Sequence, residues 1–345
     1  MFAPALPTAP KAQARVLIPA ELSGPPAPWG QVLHTLGGDT MGTRWSVQVW
    51  AGAGLPERPL RRAIQAVLDD VIAQMSTWSS DALISRFNRL PAGDSLVLPD
   101  SFALVIDTAL QVARRSAGAF DPTVGAAVGR WGFGPAELAG PGAHTTATPG
   151  QPPGWARLGW DAATHRLTQP GGLRLDLSAI AKGHAVDRVS AVLRDSGLPH
   201  HLVDIGGELS GQGLKPSGQP WWVDLEMPDP ACPLPPTRVA LHGLTVATSG
   251  DYRRWRLGPQ GQRLSHTLDP RTGAPVTHAV ASVTVLHPSA MWADAWATAL
   301  MVLGPGAGRP LAEAEGLPVL WTERPTPEHP AWRETLSTAL RGLLA

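Results

Sequence analysis

Apolar residues recur along this chain at two spacings, one typical of helices and one typical of strands. Between Arg58 and Met75 they follow an i, i+3, i+4, i+7 pattern, which predicts an amphipathic helix with one buried face. The same spacing predicts a helix after Asp100 that ends near Gly118, one from about Lys182 to Asp195, and one over Ala290 to Leu300. A C-terminal helix is expected from about Ala331.

Alternating apolar and polar residues predict the strands. These are Trp45 to Trp50, Leu173 to Leu177, His201 to Ile205, Trp221 to Glu226, Thr237 to His242, Ala279 to Leu286 and Leu317 to Thr322.

The stretch from Leu173 to Gly207 combines a strand, a turn of small residues, a helix, a second strand and a Gly-Gly pair. The turn Ser178-Ala179-Ile180-Ala181 presents free N–H groups at a helix N-terminus, where Lys182 adds a positive charge. This layout suits an anionic ligand. An ordinary strand-helix-strand unit with a solvated lysine explains the same residues equally well.

Composition narrows the class of protein. The chain has 345 residues, 43% of them hydrophobic, enough for one large core or two modest ones. Its formal net charge is zero, which argues against binding to nucleic acid or to anionic lipid. The single cysteine, Cys232, excludes an intramolecular disulfide and any multi-cysteine metal site.

The ends and loops set the expected organisation. Residues 1–33 are a Pro/Ala-rich arm that we expect to be poorly ordered, and residues 34–345 form one domain. Residues 136–155 are expected to be a long surface loop. No signal peptide, lipid-anchoring cysteine or membrane-spanning run is visible, so the protein is expected in the cytoplasm unless its start is misassigned.

Several short motifs are candidates for chemistry, each with a structural alternative. Trp78 follows a hydroxyl-rich loop and could stack on a ring or cap the core. His266, three residues before Asp269-Pro270, is a candidate proton-transfer group or a structural histidine. Asp294 and Thr298 lie four residues apart on one helix face, where their oxygens suit Mg²⁺ or serve the helix itself.

Taken together, these motifs resemble the ApbE family of FAD:protein FMN transferases over roughly Gly38 to Gly304. The segments that carry the resemblance are, in order, Met41-Gly42-Thr43, Met75 to Asn88, Phe120 to Gly125 with Trp131 to Gly134, Asp176 to Asp187, Ile205 to Gly207, Thr248 to Tyr252, Ser265 to Gly273, and Ala293 to Thr298.

The resemblance implies a single α/β (α+β) flavin-transferase domain with a T-fold-like core. It implies Mg²⁺-dependent transfer of FMN from FAD to a Thr or Ser hydroxyl of an acceptor flavoprotein, with release of AMP. Carried over by residue, the FAD contacts fall on Met41, Trp78, Ala119, Phe120, Asp121, Asp176, Lys182 and Leu268. The metal ligands fall on Asp294 and Thr298, with Ala179 and Ala297 as backbone contributors. His266 would activate the acceptor hydroxyl, and Lys182 would offset phosphate charge.

Two departures from the family pattern affect this interpretation. Trp78 stands where many relatives carry tyrosine, which keeps stacking but loses a phenol. Many members are exported or lipid-anchored, so the missing export signal points to a cytoplasmic acceptor. Two other functions fit the same residues: an FAD pyrophosphatase that yields FMN and AMP, and a non-catalytic FAD carrier.

Overall fold

The computed structural model describes residues 14–19, 21–136, 154–258 and 261–345. The helices are α1 (Glu57–Met75), α2 (Leu83–Asn88), α3 (Asp100–Arg115), α4 (Gly125–Arg130), α5 (Gly154–Arg157), α6 (Ala181–Asp195), α7 (Ala290–Ala314) and α8 (Thr338–Arg341).

The strands are β1 (Arg15–Leu17), β2 (Val32–Thr40), β3 (Thr43–Ala51), β4 (Ser95–Val97), β5 (Gly159–Asp161), β6 (Arg166–Thr168), β7 (His201–Ile205), β8 (Glu208–Gln212), β9 (Trp221–Asp224), β10 (Thr237–Leu241), β11 (Leu244–Gly250), β12 (Trp255–Leu257), β13 (Arg263–Ser265), β14 (Leu268–Asp269), β15 (Ala274–Pro275), β16 (Val280–His287), β17 (Val319–Glu323) and β18 (Arg333–Leu336).

An eight-stranded sheet forms the centre of the fold, in the order β18-β17-β16-β11-β8-β7-β3-β2. Every pairing within it is antiparallel. Helices α6 and α7 pack against each other and against strands β7, β11 and β16, and α1 packs on α6. The mixed α/β class predicted from the sequence is confirmed.

Both faces of this sheet are buried. Successive residues on a strand point to opposite faces, and here they belong to two different hydrophobic cores. Ala247 and Val285 face the helices and belong to the large core. Val246 and Leu286, each next to one of these in sequence, belong to a second core with Trp221 of the small sheet β1-β10-β9. The sheet is therefore the middle of three layers.

The helices predicted from apolar spacing are present, and α7 extends beyond its predicted end. Gly304 interrupts α7 with φ 63° and ψ 176°, a backbone conformation that is essentially restricted to glycine. Pro305 then starts the next helical segment, where its missing N–H costs nothing. Within the described part of the chain, we find no helix long and apolar enough to span a membrane.

Two predicted elements are wrong. Leu173 to Leu177 is not a ladder strand, because the Asn88 side chain bonds both the N–H and the carbonyl of Leu175, and the Pro122 carbonyl accepts from Asp176. The predicted C-terminal helix is replaced by β18, which pairs with β17 as an edge strand, followed by the single turn α8.

The N-terminal arm differs from the expectation where the structure describes it. Arg15–Leu17 pairs in parallel with Thr237–Val239, and Leu17 is fully buried in the second core. Arg15 also forms an ion pair with Glu334 of β18. These contacts fix this segment to the domain. Residues 1–13, and residues 137–153 of the predicted surface loop, lie outside the described residues.

Candidate active site

A cavity of about 1170 Å³ opens between the β2–β3 turn, the N-terminus of α6 and the first half of α7. Almost all of the residues singled out from the sequence line it. They are Met41, Trp78, Ala119, Phe120, Asp121, Asp176, Ala179, Lys182, His266, Leu268, Asp294 and Thr298. Ala297 is fully buried and is not among the lining residues, so the structure does not bring its side chain to the cavity.

The Gly-Gly pair predicted to approach a ligand forms the two-residue turn between β7 and β8. Gly206 and Gly207 have φ of 63° and 101°, which glycine adopts without strain. The turn starts β8 at Glu208, whose side chain forms an ion pair with Lys182. A carboxylate is thus placed directly beneath the lysine at the start of α6.

The Lys182–Glu208 pair keeps a positive charge in the cavity. Burial alone would lower the pKa of Lys182, but the carboxylates of Glu208 and Asp294 together raise it. Burial raises the pKa of Glu208 to about 7 despite the attraction of Lys182. Glu208 is only 2% exposed, and its Oε2 has no hydrogen-bond partner among the described residues.

Asp294 and Thr298 present oxygens one helical turn apart, as the spacing predicted. Asp294 is 4% exposed, and its Oδ2 accepts a hydrogen bond from the Gly183 N–H at 3.0 Å. Burial raises the pKa of Asp294. The Thr298 hydroxyl lies 3.0 Å from the hydroxyl of Ser249 on β11.

The donor set fits a hard cation. Every side-chain donor at this point is an oxygen, and one Asp294 oxygen is left free of the Gly183 bond. No cluster of three or more His, Cys, Asp or Glu side chains that could hold a metal occurs in the described ranges. A metal here would therefore take few protein ligands and fill its remaining positions with substrate or water, as Mg²⁺ commonly does.

The predicted flavin contacts line the same cavity. Met41 and Gly42 have φ of 47° and 69°, so the β2–β3 turn is of the tight type that requires positive φ at both central positions. Trp78 is 66% exposed at the mouth. It is therefore not a core residue, and its ring is available to a ligand.

Two buried aspartates of the cavity lining are held by local turns. Asp121 accepts hydrogen bonds from the backbone and the hydroxyl of Thr123 at 2.8 and 2.6 Å. Asp176 accepts from the Ser178 N–H at 2.8 Å. Burial raises the pKa of both carboxyls. The Asn88 bonds to Leu175, at 2.7 and 3.0 Å, fix the backbone next to Asp176.

His266 follows directly after β13 and lines the same cavity. Its Nδ1 lies 3.0 Å from the carbonyl oxygen of Arg254. A carbonyl can only accept, so in the neutral ring the proton is on Nδ1 and the lone pair is on Nε2. Burial and the positive charge of Arg254 lower the pKa of His266 below its usual value, so the neutral base dominates at pH 7.

Sequence reasoning missed Glu208, Asn88 and Ser249. Glu208 could have been found, because it follows the Gly-Gly pair directly and a hairpin there returns the chain past the ligand site. Asn88 and Ser249 act through contacts with Leu175 and Thr298, which lie 87 and 49 residues away in the chain. No short-range pattern signals such contacts.

Fold and cavity together define a single-domain α/β protein with a site suited to an anionic ligand and a hard cation. The chain belongs to the ApbE family, whose pattern it matches over residues 41–321. It is 35% identical over 307 residues to an FAD:protein FMN transferase of Klebsiella pneumoniae (strain 342), covering 85% of each chain.

Solved structures of ApbE proteins have the same fold as this chain. The apo flavinyl transferase ApbE of Pseudomonas stutzeri superimposes with a TM-score of 0.79 at 35% identity, covering 91% of this chain and 97% of the other. The flavin transferase ApbE of Vibrio cholerae gives 0.78 at 33% identity, covering 91% and 100%. The single α/β domain expected from the family resemblance is confirmed.

Proposed function

We propose that this chain is an FAD:protein FMN transferase that moves FMN from FAD to a Thr or Ser hydroxyl of an acceptor flavoprotein and releases AMP. The observation that carries the proposal is the convergence on one cavity of a lysine at a helix N-terminus, a carboxylate–hydroxyl pair and a half-buried histidine whose Nδ1 is held by a backbone carbonyl. The names of the relatives, at 35–36% identity over most of the chain, point to the same activity.

Phosphate binding would use the N-terminus of α6. The N–H groups of Ile180, Ala181 and Gly183 already donate within the protein, to the Leu177 carbonyl and to Asp294, so they are not the free donors that the sequence predicted. Attraction for a pyrophosphate would come from the positive end of the helix dipole and from the full charge of Lys182. Because Glu208 holds the ammonium group from the protein side, Lys182 is fixed before the ligand arrives. Preorganised charge of this kind stabilises the negative oxygens that develop during phosphoryl transfer.

Asp294 and Thr298 are the residues that would hold Mg²⁺, with the Ala179 and Ala297 carbonyls as further proposed contributors. When bound, the ion would neutralise phosphate charge and orient the reacting groups. Gly183 contributes by fixing the Asp294 carboxylate through its N–H.

His266 would act as the base that accepts the hydroxyl proton. The acceptor hydroxyl oxygen would bond to the phosphorus of the FMN half, while the bond from that phosphorus to the bridging oxygen of FAD breaks and AMP leaves. The hydroxyl proton would pass to Nε2 of His266, whose Nδ1–H is held by the Arg254 carbonyl. A positioned base of this kind contributes roughly 10²–10⁴-fold.

At the flavin end, Trp78 offers a ring face to the isoalloxazine or the adenine. An aromatic contact of this type contributes about 1 kcal/mol beyond its buried area. Met41, Phe120 and Leu268 would supply apolar contacts around it, and Asp121 and Asp176 would accept hydrogen bonds from the ligand.

Product stoichiometry tests the proposal. Purified protein is incubated with FAD, Mg²⁺ and an acceptor domain, and AMP, free FMN and acceptor-bound FMN are quantified. A transferase gives one AMP for each acceptor-bound FMN and little free FMN. AMP with an equal amount of free FMN indicates an FAD pyrophosphatase instead, and bound but intact FAD indicates a carrier.

A further inference from the structure

One β-hairpin next to the cavity has no partner layer. Strands β12 and β13 pair only with each other in the described residues, and all three residues of β12 are exposed. Trp255 is 43% exposed and Leu257 68% exposed. Exposed apolar side chains grouped next to a binding site are a feature of protein interaction surfaces.

Trp255 and Leu257 share one face of the hairpin, because they are two residues apart on a strand. Arg263, which pairs directly opposite Leu257, lies over the Trp255 ring at 4.5 Å. This contact orders the indole without covering it. The result is a preformed apolar face bordered by a guanidinium group, a composition typical of the centre of a protein interface.

The other face of the hairpin is basic. No acidic residue occurs between Tyr252 and His266, although the chain as a whole has no net charge. Glu226 pairs with Arg253, and Asp251 pairs with Arg263 and Arg324. In the described ranges, neither Arg254 nor Arg256 forms an ion pair with an acid, and Arg256 instead lies 5.5 Å from the Phe133 ring centroid.

The hairpin is continuous with the site. Arg253 and Arg254 line the cavity, and the Arg254 carbonyl holds His266 at the end of β13. The hairpin therefore borders the position that a hydroxyl must reach to contact His266. Two carboxylates of the cavity lining that could repel an acidic partner already have cationic partners: Asp224 pairs with Arg238 and Glu226 with Arg253.

We propose that the β12–β13 hairpin is the docking surface for the acceptor protein, and that the acceptor presents an apolar contact flanked by acidic side chains beside its target hydroxyl. This inference rests on the proposed function. Trp255 and Leu257 would bind the apolar contact, while Arg254 and Arg256 would pair with the acids. Opposite charges across an interface mainly set the association rate and the choice of partner.

Two substitutions at one exposed position test both parts of the inference. Leu257→Glu and Leu257→Lys each remove the apolar contact, and they differ only in the sign of the new charge. Leu104→Glu and Leu104→Lys are the matched controls, because Leu104 is 52% exposed on α3, which contributes no residue to the cavity. The probe is an acceptor domain whose labelling by the Vibrio cholerae flavin transferase is confirmed in the same assay.

The expected result is a change in the KM for the acceptor alone. Leu257→Glu should raise it about 10-fold or more, because the change removes a central apolar contact and also places a negative charge opposite the acids of the acceptor. Leu257→Lys should raise it less, because the new charge attracts an acidic partner. The kcat, the KM for FAD and the melting temperature should stay at the wild-type values, as should every parameter of the Leu104 variants.

Three results would overturn the inference. An unchanged acceptor KM in both Leu257 variants would show that the hairpin does not dock the acceptor. A larger loss for lysine than for glutamate would show that the partner surface is basic. A wild-type enzyme that leaves the acceptor unlabelled would contradict the proposed function itself, a result distinct from labelling with unchanged KM.

Discussion

Replacing Gly183 by alanine would insert a methyl group between α6 and α7 at a point where the helices touch. The added Cβ would lie 2.2 Å from the carbonyl oxygen of Ala290, 2.6 Å from its carbonyl carbon and 2.9 Å from the Cβ of Asp294. Ordinary contacts between such atoms lie near 3.5–4.0 Å, so the helices must separate by roughly 1 Å. The obstacle is backbone, which cannot rotate away.

The energetic consequence combines three terms. Overpacking costs about 1–3 kcal/mol. Separation of the helices also breaks the Gly183 N–H bond to the Asp294 carboxylate, a charged hydrogen bond worth about 1.5–3 kcal/mol. The higher helix propensity of alanine returns about 1 kcal/mol. We expect Gly183→Ala to lower the free energy of unfolding by about 2–5 kcal/mol and to weaken Mg²⁺ binding at Asp294.

Urea unfolding followed by tryptophan fluorescence measures the first effect, and titration calorimetry with Mg²⁺ and FAD measures the second. Gly306→Ala in α7 is the matched control, since a Cβ there meets no atom within 4 Å and its backbone is not in the positive-φ region. That variant should be as stable as wild type or up to about 1 kcal/mol more stable. Equal unfolding midpoints for Gly183→Ala and wild type would refute the reasoning.

The other predictions concern the buried side chains of His184, His201 and Asn88, and the half-buried His266. Burial lowers the pKa of His184 and of His201 to about 4. As the pH falls, these histidines therefore take up protons in the unfolded chain before they do so in the folded protein. Their contribution to the free energy of unfolding is complete above pH 6.5 and is lost toward pH 4, with a loss of about 2 kcal/mol for each histidine by pH 5. Urea midpoints between pH 5 and 8 should show this loss, and His184→Gln should reduce it. Asn88→Ala leaves the buried N–H and carbonyl groups of Leu175 unpaired, so it should lower the free energy of unfolding by about 2–4 kcal/mol and weaken FAD binding. Urea unfolding and fluorescence titration measure the two effects. An unchanged FAD affinity would contradict the idea that Asn88 positions Asp176. Because the pKa of His266 is lowered, kcat/KM for the acceptor should fall only below pH 6.5 and stay level from pH 7 to 8; His266→Gln should be roughly 10²–10⁴-fold slower and lack this acid limb.

The sequence predicted the local elements well because their signals are local. Apolar spacing located α1, α3, α6 and α7, since each buries one continuous face. The four-residue spacing of Asp294 and Thr298 and the position of Lys182 at the start of α6 follow from helix geometry alone. These residues meet in the cavity because α6 and α7 pack together.

The errors share one physical cause, which is pairing with distant parts of the chain. Leu175 has the pattern of a strand, but the side chain of Asn88 satisfies its backbone. Arg333–Leu336 forms a strand because the edge of β17 is available, although its sequence has no strong alternation. Likewise, the partner of Lys182 is Glu208, which is 26 residues away in the chain and reaches Lys182 through the β7–β8 hairpin.

The most direct test of the central claim is the intact mass of an acceptor domain after incubation with this protein, FAD and Mg²⁺. Covalent transfer predicts an acceptor heavier by one FMN unit, fluorescent after denaturation, and unmodified when Asp294→Ala or His266→Ala replaces the wild type. An acceptor of unchanged mass, while the Vibrio cholerae relative modifies the same sample, would contradict the account.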